Sequence, residues 1–408
     1  MKIPELLAPA GNLDKLKTAL LYGADAVYCG VERFSLRAHA GNLALSELQQ
    51  ACDLAHAAGK RLYLTFNAYL RPYEETACLE LLTTLRAFPH DAYIVADPGM
   101  LHLVREIDPS RAVHLSTQAN TTSASAALFW QSQGVKRLNL ARELSLDDVR
   151  AIRQATTTEL EVFVHGAMCM AYSGRCLLSA ALTDRSANQG NCSHPCRWQY
   201  ALQETSRPGE YFPVEEDDRG TYVFNSRDLC LIEHLPALIE AGVDSLKIEG
   251  RMKSLYYVAA VTRVYRDALD RYRRDPNCFS VDPLWLKELQ AVSHRPYGTG
   301  FLLNDDKSFV HAEDSAYRRP CDFVGVVVSG QQGGLWTVEG RNKFHIGETL
   351  EIIGPGMRQS PVRVGRVVTP SGKAVDLVQP NALVCMALPE TTQPGDILRR
   401  CPEDFASR

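Results

Sequence analysis

From the start of the chain to about residue 276, short apolar runs alternate with longer stretches whose apolar positions recur at helical spacing. Glu5–Ala8, Ala26–Cys29, Arg61–Phe66, Ala92–Ala96, Ala112–Ser116, Arg137–Leu140, Glu161–Val164 and Ser245–Ile248 read as strands. Leu13–Tyr22, Leu45–Ala58, Thr76–Ala87, Thr122–Gln133 and Ser145–Ala155 read as amphipathic helices between them. Gly23, Gly59, Gly134 and Gly242 follow helical segments, where a C-terminal cap is expected. Ser46-x-x-Gln49 and Ser145-x-x-Asp148 have the form of N-terminal capping signals. Eight strands with helices between them, all read as parallel, predict a closed (β/α)8 TIM-like barrel. An open doubly wound sheet is the alternative. No G-x-G-x-x-G follows the first strand, which disfavours a dinucleotide fold.

The alternation breaks once. Roughly 80 residues separate the seventh strand from the eighth, where a βα unit needs about 30. This cysteine-rich insertion, about 166–243, leaves from the C-terminal end of a strand, the face on which barrel enzymes keep their chemistry. After the eighth strand, Glu249–Arg274 carries seven Arg or Lys against three acidic residues. A solvated helix face and a phosphate-contact surface are the two readings. From about Pro320 the pattern changes to short β runs punctuated by glycine, such as Asp322–Val328, Glu348–Ile353 and Val362–Val368. That predicts a small antiparallel β-barrel over 320–408, joined to the first domain (1–276) by 277–319.

The 408 residues are 45% apolar and 23% charged, which excludes a largely disordered chain. A net charge of −4 excludes a globally basic nucleic-acid binder, but not a local basic patch. The first residues hold no apolar signal-peptide core, and Val113–Val135, free of charge, is too rich in Ser, Thr, Gln and Asn to span a membrane. A cytoplasmic location with reduced thiols is expected.

Five of the twelve cysteines fall between 169 and 230. Cys169, Cys176, Cys192 and Cys196 follow the spacing C-x6-C, fifteen residues, C-x3-C. Four thiolates in one insertion can hold an iron–sulfur cluster or a zinc ion ligated by all four. The absence of a C-x2-C knuckle, and Gly174, Gly190 and Pro195 in the gaps, fit wrapping around an object larger than one ion. Unliganded cysteines are the plain alternative. Cys230 is a fifth candidate, or simply a buried apolar cysteine. Cys29, Cys52, Cys78, Cys278, Cys321, Cys385 and Cys401 are isolated and read as structural. No G-x-S-x-G elbow, H-E-x-x-H or P-loop occurs, and Cys169 with His165 makes no specific protease signal.

Several long motifs resemble the collagenase-like peptidases of family U32, a family of unassigned mechanism. They are Glu161-Val162-Phe163-Val164-His165-Gly166-Ala167-Met168-Cys169, Ser173-Gly174-Arg175-Cys176 and Ser245-Leu246-Lys247-Ile248-Glu249-Gly250-Arg251-Met252-Lys253-Ser254. The opening Glu5-Leu6-Leu7-Ala8-Pro9-Ala10-Gly11 and Gly23-Ala24-Asp25-Ala26-Val27-Tyr28 match as well. Asn188-Gln189-Gly190-Asn191-Cys192, Cys196-Arg197-Trp198, Arg207-Pro208-Gly209-Glu210-Tyr211 and the stretch from Asn342 to Glu351 are similar to the family's tRNA-hydroxylating branch. The resemblance implies formation of 5-hydroxyuridine at the tRNA wobble position, with a 4Fe–4S cluster and prephenate as hydroxyl donor. It implies Cys169, Cys176, Cys192 and Cys196 as cluster ligands, and the anticodon arm of tRNA as partner. Sister branches act on ribosomal RNA or small aromatic substrates, and the peptidase name remains a further reading. Prephenate carries two carboxylates, so its pocket needs Arg or Lys. Residues just past strand ends are the candidates: His165, Glu249 and Arg251 for catalysis, and Arg37, His39, Asn67, Gln118, Arg142 and Lys253 for substrate binding. Plain structural roles compete at each: Arg251 as a partner of Glu249 or a helix cap, His165 as a satisfied core histidine.

Overall fold

Seven strands, β1 (Glu5–Pro9), β2 (Ala26–Gly30), β3 (Arg61–Phe66), β4 (Ala92–Val95), β5 (Ala112–Leu115), β6 (Arg137–Asn139) and β7 (Glu159–Ala167), pair in sequence order, each parallel to the next. The strand Ser245–Ile248 pairs in parallel with both β1 and β7 and closes the eight into a barrel. The computed structural model describes residues 2–36, 41–169, 171–198, 216–217, 220–221, 226–303, 317–402 and 405. Each strand buries both faces, which is why it reads as an unbroken apolar run; all five residues of β2 are buried. The four glycines expected at helix ends all take positive φ there. Ser145 caps its helix as expected, with Asp148 reaching back to the Ser145 N–H. Ser46 does not cap: that helix (Leu45–Ala57) starts earlier, and Glu47 Oε2 accepts from the Ala44 N–H at 3.0 Å.

The N-terminal end of the barrel is filled by charge. Arg137, 2% exposed, contacts the carboxylates of Glu5, Glu159 and Glu161, and Lys247 Nζ lies 2.8 Å from Glu161 Oε1. Burial raises the Glu161 pKa, but Lys247 and Arg137 more than reverse it and hold the carboxyl below its usual range. Each charge is paired, so the layer is a stable floor rather than a pore.

β7 is longer than its apolar run predicts. Beyond Phe163 its register slips against Ser245–Ile248, and residues 165–167 pair on the other side with the antiparallel strand Asp228–Cys230. The slip turns His165 away from the interior parity of Glu161 and Phe163, as bulges re-aim side chains.

The C-terminal part is a curled seven-stranded antiparallel sheet. It wraps a separate core that includes Val324, Val338, Leu350, Val384 and Leu398. It docks on the barrel through Ile353 and Ile397, which join the main core, and through a buried ion cluster. Glu288, from the helix Pro283–Ala291, sits between Arg263 of the helix Leu255–Arg274 and Arg399 of the sheet strand Ile397–Arg400. Tyr22 Oη also donates across the junction to the carbonyls of Ile353 and Gly395. One expectation fails here: Cys321 and Cys401 are not isolated but form a disulfide beside the paired strands Asp322–Gln332 and Ile397–Arg400. Eighty residues separate them, so sequence spacing gave no hint of the pair. No described helix is long and apolar enough to cross a membrane.

Candidate active site

The C-terminal ends of the strands surround a cavity of about 340 Å³. Its floor is made by inward positions near strand ends: Tyr28, Thr65, Ile94, Asn139, Phe163 and Lys247. Its wall comes from residues just past those ends, including Asn67, Gln118, Arg142, Glu249 and Arg251. The roof is the insertion, which brings Cys169, Cys176, Cys192 and Cys196 to this one cavity, with Tyr172 and His194 beside them. None of the four is tied into a disulfide, and each is at least partly exposed.

Specific contacts hold the roof to the barrel. The Glu143 carboxylate accepts from the Ser173 N–H at 2.7 Å and from its hydroxyl at 3.2 Å. Tyr69 Oη donates to Gln118 O at 2.8 Å and approaches Gly174 O at 3.4 Å. Gly174 has φ +75°, and a Cβ there would lie 2.0 Å from Gln118 O, so only glycine fits this turn between Cys169 and Cys176. Asn188 Nδ2 donates to Cys176 O at 3.1 Å, and Cys192 Sγ accepts from the His194 N–H at 3.3 Å.

The residues singled out from the sequence divide into groups. Asn67, Gln118, Arg142, Glu249, Arg251 and the four cysteines line the cavity together. The two terminal nitrogens of Arg251 donate to Ser35, Thr65, the Leu36 carbonyl and Asn42, pinning the loop after β2. Arg142 is not so engaged. Its side chain is 9% exposed, its plane lies 3.8 Å from the Phe163 ring centroid, and Glu249 Oε2 is 3.8 Å away. Arg142 Nε and Asn139 Oδ1 are buried with no hydrogen-bond partner among the described residues. Lys253 lies outside this cavity, in an adjoining groove. Arg37 and His39 fall outside the described residues.

His165 also lies outside the cavity lining, among Tyr257, Tyr265 and Tyr297. Its ring nitrogens face Tyr265 Oη at 3.4 Å and Tyr297 Oη at 3.3 Å. Burial, with His294 and Lys253 adding to it, pulls its pKa down to about 3, so it stays neutral. Cys230 likewise is turned from the cavity; burial pushes its thiol up to about 11.

Ion pairs hold four of the five arginines on the helix Leu255–Arg274. Arg263 is buried on Glu288, Arg266 pairs with Asp25 and Asp270, Arg271 with Asp267 and Asp282, and Arg273 with Asp270. The helix starts at the cavity end of its strand and runs back, so its arginine-rich end lies at the opposite face. Sequence reasoning missed Tyr28, Asn139, Phe163 and Lys247. Alternation along each strand, carried to its last inward residue, marks them.

Among the described residues, no three His, Cys, Asp or Glu side chains gather closely enough for a single metal ion. Four cysteine thiols around one cavity are soft donors of the kind that hold zinc or an iron–sulfur cluster.

The sequence matches the model for peptidase family U32 over residues 11–311 and that for the family's C-terminal domain over 319–399. A tRNA hydroxylation protein from Bacillus subtilis (strain 168) is 37% identical over 98% of this chain and 95% of its own length. A 23S rRNA 5-hydroxycytidine synthase from Escherichia coli (strain K12) is 41% identical over 79% of this chain and 48% of its own. A collagenase from Porphyromonas gingivalis is 30% identical over 86% of each.

Proposed function

The chain belongs to peptidase family U32, and from that premise we propose that it is an RNA-modifying hydroxylase that forms 5-hydroxyuridine at the tRNA wobble position. The observation that carries this reading is the meeting of four cysteine thiols with unpaired buried polar groups in one cavity at a barrel's catalytic face. The names of two relatives, a tRNA hydroxylation protein and an rRNA 5-hydroxycytidine synthase, support RNA hydroxylation as the reaction class.

In this reading Cys169, Cys176, Cys192 and Cys196 hold a 4Fe–4S cluster, which when bound supplies redox or Lewis-acid chemistry toward the oxygen donor. The chain's own residues then bind and orient. Arg142 faces a carboxylate of the donor, prephenate, because its Nε proton is buried without an acceptor. Asn139 Oδ1 accepts from uracil N3–H, the donor that an unpaired buried amide oxygen requires. Phe163 and Tyr28 wall the base. Uridine in an anticodon loop is single-stranded and leaves its stack at modest cost.

Two measurements test the proposal. Nucleosides from the tRNA of a strain lacking the chain should lose 5-hydroxyuridine, provided no second enzyme makes it; unchanged levels reject the reaction. Anaerobically purified protein should contain iron and sulfide, and Cys176→Ala should lose both. A stoichiometric zinc that survives in place of iron rejects the cluster. The relative named a collagenase keeps peptide cleavage as the competing activity; cleavage of a collagen peptide that survives Cys176→Ala would favour it.

A further inference from the structure

A second groove, about 320 Å³, opens beside the main cavity and shares three residues with it, Ala167, His194 and Glu249. Its remaining lining is Gly250, Met252, Lys253, Ser293 and Tyr317. Met252 is 51% exposed and Tyr317 41%. Lys253 Nζ is fixed by the Ser293 carbonyl at 2.9 Å and stands 4.2 Å from the Tyr317 ring centroid. Arg295 lies 5.1 Å from the same ring. The groove's carboxylate, Glu249, has its Oε2 3.4 Å from Tyr28 Oη and 3.8 Å from Arg142, both of the main cavity.

We propose that this groove is a second subsite, which seats the nucleotide next to the one being modified. The proposal rests on the RNA reading above. A nucleotide drawn into the main cavity stays joined to its neighbours by phosphodiesters, so the backbone must cross the shared rim. Beyond that rim lie one cation for one phosphate charge, and a held tyrosine with an exposed methionine for a base. A dicarboxylate fits less well, since it asks for two cations and the groove's lining holds one, Lys253.

The test uses the full chain and anticodon stem-loop RNAs, intact or with an abasic residue on either side of the target uridine. Dissociation constants are read by fluorescence anisotropy, with KM and kcat from nucleoside mass spectrometry. Tyr317→Ala and Met252→Ala should weaken binding of the intact stem-loop about 5- to 150-fold, the range for one lost base stack. One abasic RNA should bind wild-type protein equally weakly, and on it the substitutions should add nothing. Tyr317→Phe should restore binding, which a misfolded protein would not do. Lys253→Met should reduce the salt dependence by about one phosphate contact. Losses that persist undiminished on both abasic RNAs, or a change in prephenate KM with no change in RNA affinity, overturn the subsite. A wild-type chain that binds and modifies no stem-loop overturns the RNA reading itself, and the subsite with it.

Discussion

Replacing Arg142 by methionine separates ligand binding from folding, because the structure gives this arginine little else to do. Its folded-state contacts are the Phe163 ring and a Glu249 oxygen at 3.8 Å. The cation–π contact contributes about 0.5–2 kcal/mol. Against that, the substitution removes a buried Nε–H that has no partner, a group that costs about 1–3 kcal/mol to bury. Methionine fills much of the same space, so the two effects nearly cancel and the melting temperature should move by a few degrees at most. In the loaded enzyme, a charge-assisted hydrogen bond to a carboxylate is lost, about 1.5–3 kcal/mol. That raises the KM for prephenate roughly 10- to 150-fold. The assay is tRNA hydroxylation at varied prephenate, with a thermal melt of the same sample. A KM within twofold of wild type, or a loss of activity matched by a collapse in melting temperature, would refute the reasoning.

Arg251→Met should behave in the opposite way. It strips donors from Ser35, Thr65, Leu36 and Asn42 and should destabilise the fold by about 3–5 kcal/mol in urea titration. Gly174→Ala should leave the barrel's unfolding transition nearly unchanged while lowering iron retention, since the clash with Gln118 O displaces the turn between two of the thiols. Glu288→Gln leaves Arg263 and Arg399 without their shared charge and should cost about 3–5 kcal/mol, seen as early proteolysis at the junction of barrel and sheet. Acid should erode stability through His165: its folded pKa of about 3 lies below the unfolded value near 6.5. The unfolded chain therefore takes up the proton first, and stability falls as pH drops from about 7 toward 3. His165→Gln should flatten part of that slope in urea midpoints measured at several pH values; an unaltered slope would show that His165 is not held neutral.

The barrel was legible because eight buried parallel strands write themselves as eight apolar runs, and because glycine marks the helix ends. The cysteine insertion was legible as a break in that rhythm. What the sequence concealed was set by partners distant along the chain. Five arginines on one helix look like a surface for phosphate, yet Asp25, Asp282 and Glu288, from other elements, pair with three of them. Arg251 sits in the stronger motif, but four acceptors near 35–65 hold its terminal nitrogens, while those of Arg142 come no nearer than 3.8 Å to Glu249. His165 belongs to a run that points at chemistry, and a single register slip in β7 carries it behind the wall. The Cys321–Cys401 pair joins residues 80 apart along the chain and has no local signal.

Hydroxylation of tRNA uridine in this cavity is tested most directly in a reconstituted reaction. Anaerobically prepared protein is incubated with unmodified tRNA and prephenate, and the nucleosides are followed by mass spectrometry. A uridine one oxygen heavier should appear at the wobble position, absent when prephenate is withheld and absent with Cys176→Ala. Iron-loaded protein that binds tRNA and prephenate yet leaves every uridine unchanged would contradict it.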